Sequence, residues 1–137
     1  MEINISQAQG RVPISVIGVD GKLDGQTYQD LISKARDLYE AGTRDILIDL
    51  TKLAYISSAG LVALHTIALM LRGEALIDKE HGWASVKSMD RGRETGMQKH
   101  IKLFNPLPDV NSVLEMVGFS QMFEIFSDRE KAIQSFG

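Results

Sequence analysis

The residues best placed for chemistry are two adjacent serines, Ser57 and Ser58, inside the run Tyr55-Ile56-Ser57-Ser58-Ala59-Gly60-Leu61. A serine can act as a nucleophile only with a base beside it. A hydrolase elbow would also need a glycine two residues before the nucleophile, a position held here by Ile56 when Ser58 is the nucleophile. The three histidines, His65, His81 and His100, stand singly and without metal-ligand spacing, and there is no cysteine to serve as thiolate or ligand. Gly10, Gly18 and Gly21 do not make a phosphate-cradling loop of either common glycine spacing. These absences leave a small esterase or nucleotide-hydrolysing activity at the Ser58 turn as the weakest reading. The serines have two better uses. A serine hydroxyl caps a helix by accepting a hydrogen bond from a free backbone N–H, and the same N–H groups, with the positive end of the helix dipole, accommodate a phosphate.

The elements that must carry this turn follow from periodicity. Ile3 and Ile5, then Ile14, Val16 and Val19, are β-branched runs joined by Gln9, Gly10 and Arg11, the pattern of a hairpin. Tyr28, Leu31, Ile32, Ala35, Leu38 and Tyr39 repeat at helical spacing, with Thr27 and Asp30 in capping-box register and Gly42 at the expected stop. Ile46, Leu47, Ile48 and Leu50 form a strand covered on both faces, so strand, helix and strand imply a parallel pair. The apolar helix after Ser58 runs to about Leu71. A strand at Ile101–Phe104, a helix bearing Val110, Val113, Leu114 and Val117 and ended by Gly118, a strand around Phe123, Ile125 and Phe126, and a terminal helix capped at Ser127 with Glu130 complete the chain.

On the helix after the serines, Leu61, Leu64, Ala68 and Leu71 suffice for a core stripe, while Val62, Ile67, Leu69 and Met70 fall elsewhere round the wheel. Such a helix is either buried all round or shows an apolar face to a partner. Between Arg72 and His100 the periodicity disappears, and Gly73, Gly82, Gly92 and Gly96 punctuate charges of both signs. This stretch reads as an insertion, expected to be the most protease-sensitive part of the chain and a candidate, through Trp83, to cover the helix.

The 137 residues suit one domain, spanning 1–137, and the 44% apolar and 24% charged shares are those of a globular protein. A net charge of −3 argues against nucleic acid as a partner. The stretch Leu61–Leu71, interrupted by His65 and Thr66, is far short of the roughly 20 residues of a membrane span, and Met1–Gln9 lacks a signal-peptide pattern. The absence of cysteine agrees with a reducing compartment.

The segment Asp49-Leu50-Thr51-Lys52-Leu53, followed by the serine run, resembles the signature of STAS domains, in which a strand ending in Asp-Leu leads to an Asp-Ser-Ser/Ala-Gly-Leu turn. Gly21-Lys22-Leu23-Asp24 is similar to the Gly-x-Leu-Asp segment before their first helix, and the order of elements is also theirs. The resemblance covers about Met1–Leu71 and Ile101–Gly137, with an atypical insertion at about 72–100. It implies an α/β STAS (SpoIIAA-like) fold, a mixed sheet opened by a β-hairpin with about four helices. It also implies an anti-sigma factor antagonist of a bacterial cytoplasm, a regulator of transcription that sequesters an anti-sigma factor and serine kinase of the ATPase fold and uses no cofactor. A cognate phosphatase belongs to the same set of partners, and the free protein is expected to be a monomer. The phosphorylated serine falls on Ser58, with Ser57 as a rival because it stands where the family usually has an acidic residue. Docking is expected at Asp24, Ser57, Ser58, Ala59, Gly60, Leu61, Val62 and Leu69. The alternative is a STAS module that scaffolds a sensory or lipid-trafficking complex without being phosphorylated.

Overall fold

The computed structural model describes residues 1–72 and 98–137. Apart from its ends, the expected insertion, with Trp83 and the segments Ala75–Ile77 and Trp83–Met89, lies outside the described residues. The chain opens with strands β1 (Glu2–Gln9) and β2 (Pro13–Leu23), followed by helix α1 (Tyr28–Glu40), strands β3 (Ile46–Asp49) and β4 (Leu53–Ile56), and helix α2 (Ser58–Leu71). After the undescribed stretch come β5 (Ile101–Phe104), α3 (Pro108–Met116), a 3-10 turn at Phe119–Gln121, β6 (Ile125–Phe126) and α4 (Arg129–Gln134).

One mixed sheet runs β1-β2-β3-β5-β6. β1 and β2 are the antiparallel hairpin, in register from Glu2↔Asp20 to Gln9↔Pro13, and every other pairing is parallel. β4 pairs with the last residues of β2, across a register shift between Gly21 and Lys22, and so continues alongside β2 where β3 leaves off. This strand is missing from the sequence reading. Its burial pattern, buried at Leu53 and Ile56 and exposed at Ala54 and Tyr55, has neither alternation nor a continuous apolar run.

Alternation along the central strands divides the core into two layers. Ile17, Val19, Ile46, Ile48, Ile101 and Leu103 pack under Leu31 and Ala35 of α1, the inner face of α2, and Val110 and Leu114 of α3. On the other face Ile14, Val16 and Leu47 meet Ala132, Ile133 and Phe136 of the terminal segment. A buried lysine closes this second layer. Lys102 Nζ lies 3.0 Å from Glu124 Oε1 and donates to the carbonyl and the hydroxyl oxygens of Ser135 at 3.1 Å each. Its three donors are thereby matched, which a buried ammonium requires.

Two expected caps are corrected. α4 is capped by Asp128, whose carboxylate accepts from the Lys131 amide, and not by Ser127. Thr27 is the N-cap residue of α1 but its side chain makes no cap bond there; its hydroxyl turns back one turn, as described below. The Gly42 stop holds, with φ +113 and the two backbone bonds of a Schellman motif, Thr43 N–H to the Leu38 carbonyl and Gly42 N–H to the Tyr39 carbonyl.

Candidate functional site

The parallel pair Leu23↔Ile56 brings the C-terminal ends of β2 and β4 side by side, so the residues that follow, Asp24 and Ser57, leave the sheet at the same place. The amide of Ser57 donates to the Leu23 carbonyl at 2.9 Å and fixes this junction. Ser57 is then the N-cap of α2, with extended backbone, and its hydroxyl accepts from the Gly60 amide at 3.5 Å, a long cap bond. Ser58 is the first helical residue. Its side chain is exposed and makes no hydrogen bond among the described residues. The first turn of α2 carries no acidic residue of its own to offset the positive end of its dipole.

Gly60 sets how close α2 comes to the sheet. A Cβ at this position would lie 2.7 Å from Ile56 Cγ1, 2.8 Å from the Leu23 carbonyl oxygen and 2.9 Å from Leu23 Cγ. The backbone is in ordinary helical geometry, so glycine is required here by lack of space and not by its dihedral freedom.

Asp24 is held from both sides. Its carboxylate accepts from the Gln26 amide at 3.0 Å and its own amide donates to Thr27 Oγ1 at 2.9 Å, while the single Thr27 hydroxyl proton has two acceptors in reach, the Lys22 carbonyl at 2.9 Å and the Asp24 carboxylate at 3.2 Å. Only the Asp24 amide to Thr27 Oγ1 bond is that of a capping box, since the Thr27 amide donates to the Asp24 carbonyl; these bonds, one turn upstream of the expected cap, occupy Thr27 Oγ1. Asp24 thus points where the loop dictates, half-buried beside the serine turn.

The structure brings together Asp24, Ser57, Ser58, Ala59, Gly60, Leu61 and Val62. Ala59 and Leu61 are half-buried, Gly60 is buried, and Val62 is 52% exposed. Leu69 does not belong with them. It lies eleven residues beyond Ser58 along α2, about 16 Å at the helical rise, and is only 6% exposed within the main core layer. The expectation that Leu69 shares an open face with Val62 is therefore corrected: Ile67, Leu69 and Met70 are all buried, and of the four residues set off the core stripe only Val62 is open. Conversely Tyr55, 50% exposed at the end of β4, adjoins the turn although the sequence reading assigns it no role there.

No histidine is positioned as a base for Ser58 among the described residues. His65 is two turns along α2 and meets the Phe119 ring edge-on, and His100 pairs with Asp45 at 2.9 Å at the N-terminal ends of β5 and β3. His81 lies outside the described residues. A cavity of about 230 Å³, lined by Asn4, Val16, Asp49, Thr51, Lys52 and Arg129 among others, includes none of the expected site residues. Among the described residues no group of three or more His, Cys, Asp or Glu is arranged to hold a metal ion, and no helix is long and apolar enough to cross a membrane.

Comparison with known proteins bears on this geometry. The family model of the STAS domain matches residues 6–76, the part of the chain that contains both Asp24 and the serine turn. A search of the curated proteins finds no match. Among solved structures, an anti-sigma factor antagonist from Mycobacterium paratuberculosis is 15% identical with a TM-score of 0.66, over 98% of this chain and 93% of that one. A putative anti-sigma factor antagonist from Thermotoga maritima is 14% identical with a TM-score of 0.67, over 96% and 92%. The Bacillus cell fate determinant SpoIIAA in its phosphorylated form is 15% identical with a TM-score of 0.56, over 96% of each chain. At these identities the likeness is one of fold.

Proposed function

The chain belongs to the STAS domain family, and from that premise we propose that it is a phosphorylation-controlled anti-sigma factor antagonist, a binding protein and not an enzyme. It docks on an anti-sigma factor that is also a serine kinase of the ATPase fold, and so acts on transcription. The single domain of this switch spans 1–137 with its insertion at about 72–100, and it works in the cytoplasm.

The observation that carries this reading is the unequal state of the two serines. Ser57 is half-buried and its hydroxyl serves the helix as cap, whereas Ser58 is exposed, unengaged, and sits at the helix N-terminus. A kinase can reach Ser58 without uncapping α2. The structural relatives in the antagonist class, one of them in a phosphorylated form, support the same assignment. A phosphate on Ser58 adds about −1.5 to −2 charges where the dipole tolerates them, so the fold survives. A partner surface fitted to a neutral hydroxyl beside Asp24 meets instead a dianion next to a carboxylate. A penalty of about 3 kcal/mol lowers affinity more than a hundredfold. Docking then involves Asp24, the Ser57–Leu61 turn and Val62.

The test compares Ser58→Ala, Ser58→Asp and Ser57→Ala with the parent, incubated with ATP and the serine kinase that co-purifies from the native cell, by intact mass and by binding affinity. Ser58→Ala is expected to bind and take no phosphate, Ser58→Asp to fold and bind more than a hundredfold more weakly, and Ser57→Ala to remain switchable. Phosphate on Ser58→Ala, or parental affinity in Ser58→Asp, removes the switch from this residue. One observation favours the second reading, a scaffold that is not phosphorylated: no acidic residue stands in the first turn of α2 or at its cap. Binding with no phosphate uptake by the parent would establish that reading in place of the first.

A further inference from the structure

The sheet ends on one side in β1, and the backbone parity of β2 shows what that edge offers. The Ser15 amide donates to the Asp45 carbonyl and the Gly21 amide to the Lys52 carbonyl, so the odd-numbered residues of β2 turn their backbone groups toward β3 and β4. The even-numbered residues therefore face β1, where Ile14, Val16, Gly18 and Asp20 lie opposite Ala8, Ser6, Asn4 and Glu2. Ile3, Ile5, Gln7 and Gln9 are left with N–H and C=O groups directed outward, and among the described residues β1 pairs with β2 alone.

Exposed edges of this kind are commonly blunted by lysine, proline, a bulge or short length. β1 has none of these. It is 8 residues long, its register with β2 is unbroken, and its one charge is Glu2 at the end. At its centre Ile5 is 42% exposed.

We infer that this edge is a self-association surface, and that its occupant is β1 of a second copy of the chain, antiparallel about a two-fold axis at Ile5. The occupant follows from self-complementarity. Centred on Ile5, the pairing sets Ile5 against Ile5 of the second copy, Ile3 against Gln7, Asn4 against Ser6 and Glu2 against Ala8. The outward backbone groups of Ile3, Ile5 and Gln7 then meet their own counterparts as hydrogen-bonded pairs, the exposed isoleucine is covered by its mate, and no like charges face each other. β4 and the serine turn after it lie on the opposite flank of β2, so this pairing leaves them open. The inference does not rest on phosphorylation of Ser58, and it replaces the monomer expected from the sequence.

Sedimentation velocity over a concentration series is expected to show a monomer–dimer equilibrium for the full chain. Ile5→Lys places two ammonium groups opposite each other on the axis and is expected to weaken the dimer at least about tenfold with an unchanged circular dichroism spectrum. Because the chain has no cysteine, single-cysteine variants report the register directly. Ile5→Cys is expected to cross-link rapidly on mild oxidation, since Cα atoms of a hydrogen-bonded pair lie about 5.5 Å apart, within disulfide reach, and Gln9→Cys is expected to lag far behind. A monomer at every concentration overturns the inference, including one that binds extended peptides of other proteins at β1. So does a dimer indifferent to Ile5→Lys, or cross-linking of Gln9→Cys as fast as that of Ile5→Cys.

Discussion

Helices α1 and α2 start side by side, at the ends of the neighbouring parallel strands β2 and β4, yet they are held by different forces. The start of α1 is tied by the side-chain hydrogen bonds of Asp24 and Thr27, and is sterically loose: a Cβ on Gly25 would meet nothing within 4 Å. The start of α2 is the reverse, with a stretched serine cap and a glycine pressed against the Leu23 carbonyl. A helix start locked by fit does not need all its polar groups for its own stability. That is what leaves Ser58 free at the α2 turn, while Asp24 and Thr27 are both spent on the α1 turn.

The contrast is open to attack in order of expected effect. The largest lies along α2, where close packing continues past the turn. Leu69→Glu forces a carboxylate into the core and is expected to cost more than about 4 kcal/mol in urea unfolding, enough to prevent folding, whereas Val62→Glu stays within about 0.5 kcal/mol of the parent. Equal losses would mean that Val62 is core as well. Next are the two glycines. An alanine in an open helix is favoured by about 1 kcal/mol, but Gly60→Ala is expected to destabilise by about 1–3 kcal/mol through overpacking, and Gly25→Ala to be neutral or slightly stabilising. If Gly60→Ala gained stability, the steric account of α2 would fail.

Smaller effects distinguish the two caps. Thr27→Ala removes the acceptor of the Asp24 amide and should lower stability by about 1–2 kcal/mol, with Thr27→Ser retaining most of it. Ser57→Ala removes a cap bond that is already long, and a loss of about 0.5 kcal/mol is expected. A Ser57→Ala penalty as large as that of Thr27→Ala would show that α2, too, depends on its hydroxyl.

Much of this was legible in the sequence, because hydrophobic period survives the details of packing. The hairpin, α1, β3, α2, β5 and α3 are all marked by their apolar spacing. β4 was not legible, since four residues beside a register shift, two buried and two exposed, carry no period. Caps were readable as a type but not as an address. Thr27/Asp30 and Ser127/Glu130 both fit the spacing, yet Asp24 and Asp128 make the bonds, because the path of the chain out of the strand decides which oxygen faces the free amides. Leu69 was misplaced because a helical wheel assumes one covered side, and α2 is packed against both α1 and the sheet. That Ser57, and not Ser58, would be the cap was undecidable from two identical side chains in a row.

The β1–β2 hairpin also has a consequence in time. Its pairing is local and closes through a short connection at Gly10–Val12, while every parallel pair in the sheet must wait for an intervening segment to fold back. Hairpins form in microseconds, and non-local parallel pairs come later. The hairpin is therefore expected to be the earliest piece of sheet, and while it waits for β3 both its edges are open. β2 later acquires further neighbours within the chain, whereas among the described residues β1 has only β2. An encounter between two nascent chains is thus more hazardous than one between two finished molecules, since it can capture the edge of β2 that β3 must occupy, and a misassembled pair of hairpins would be a kinetic trap. Refolding yield should accordingly fall as protein concentration rises, and Ile5→Lys should restore part of it.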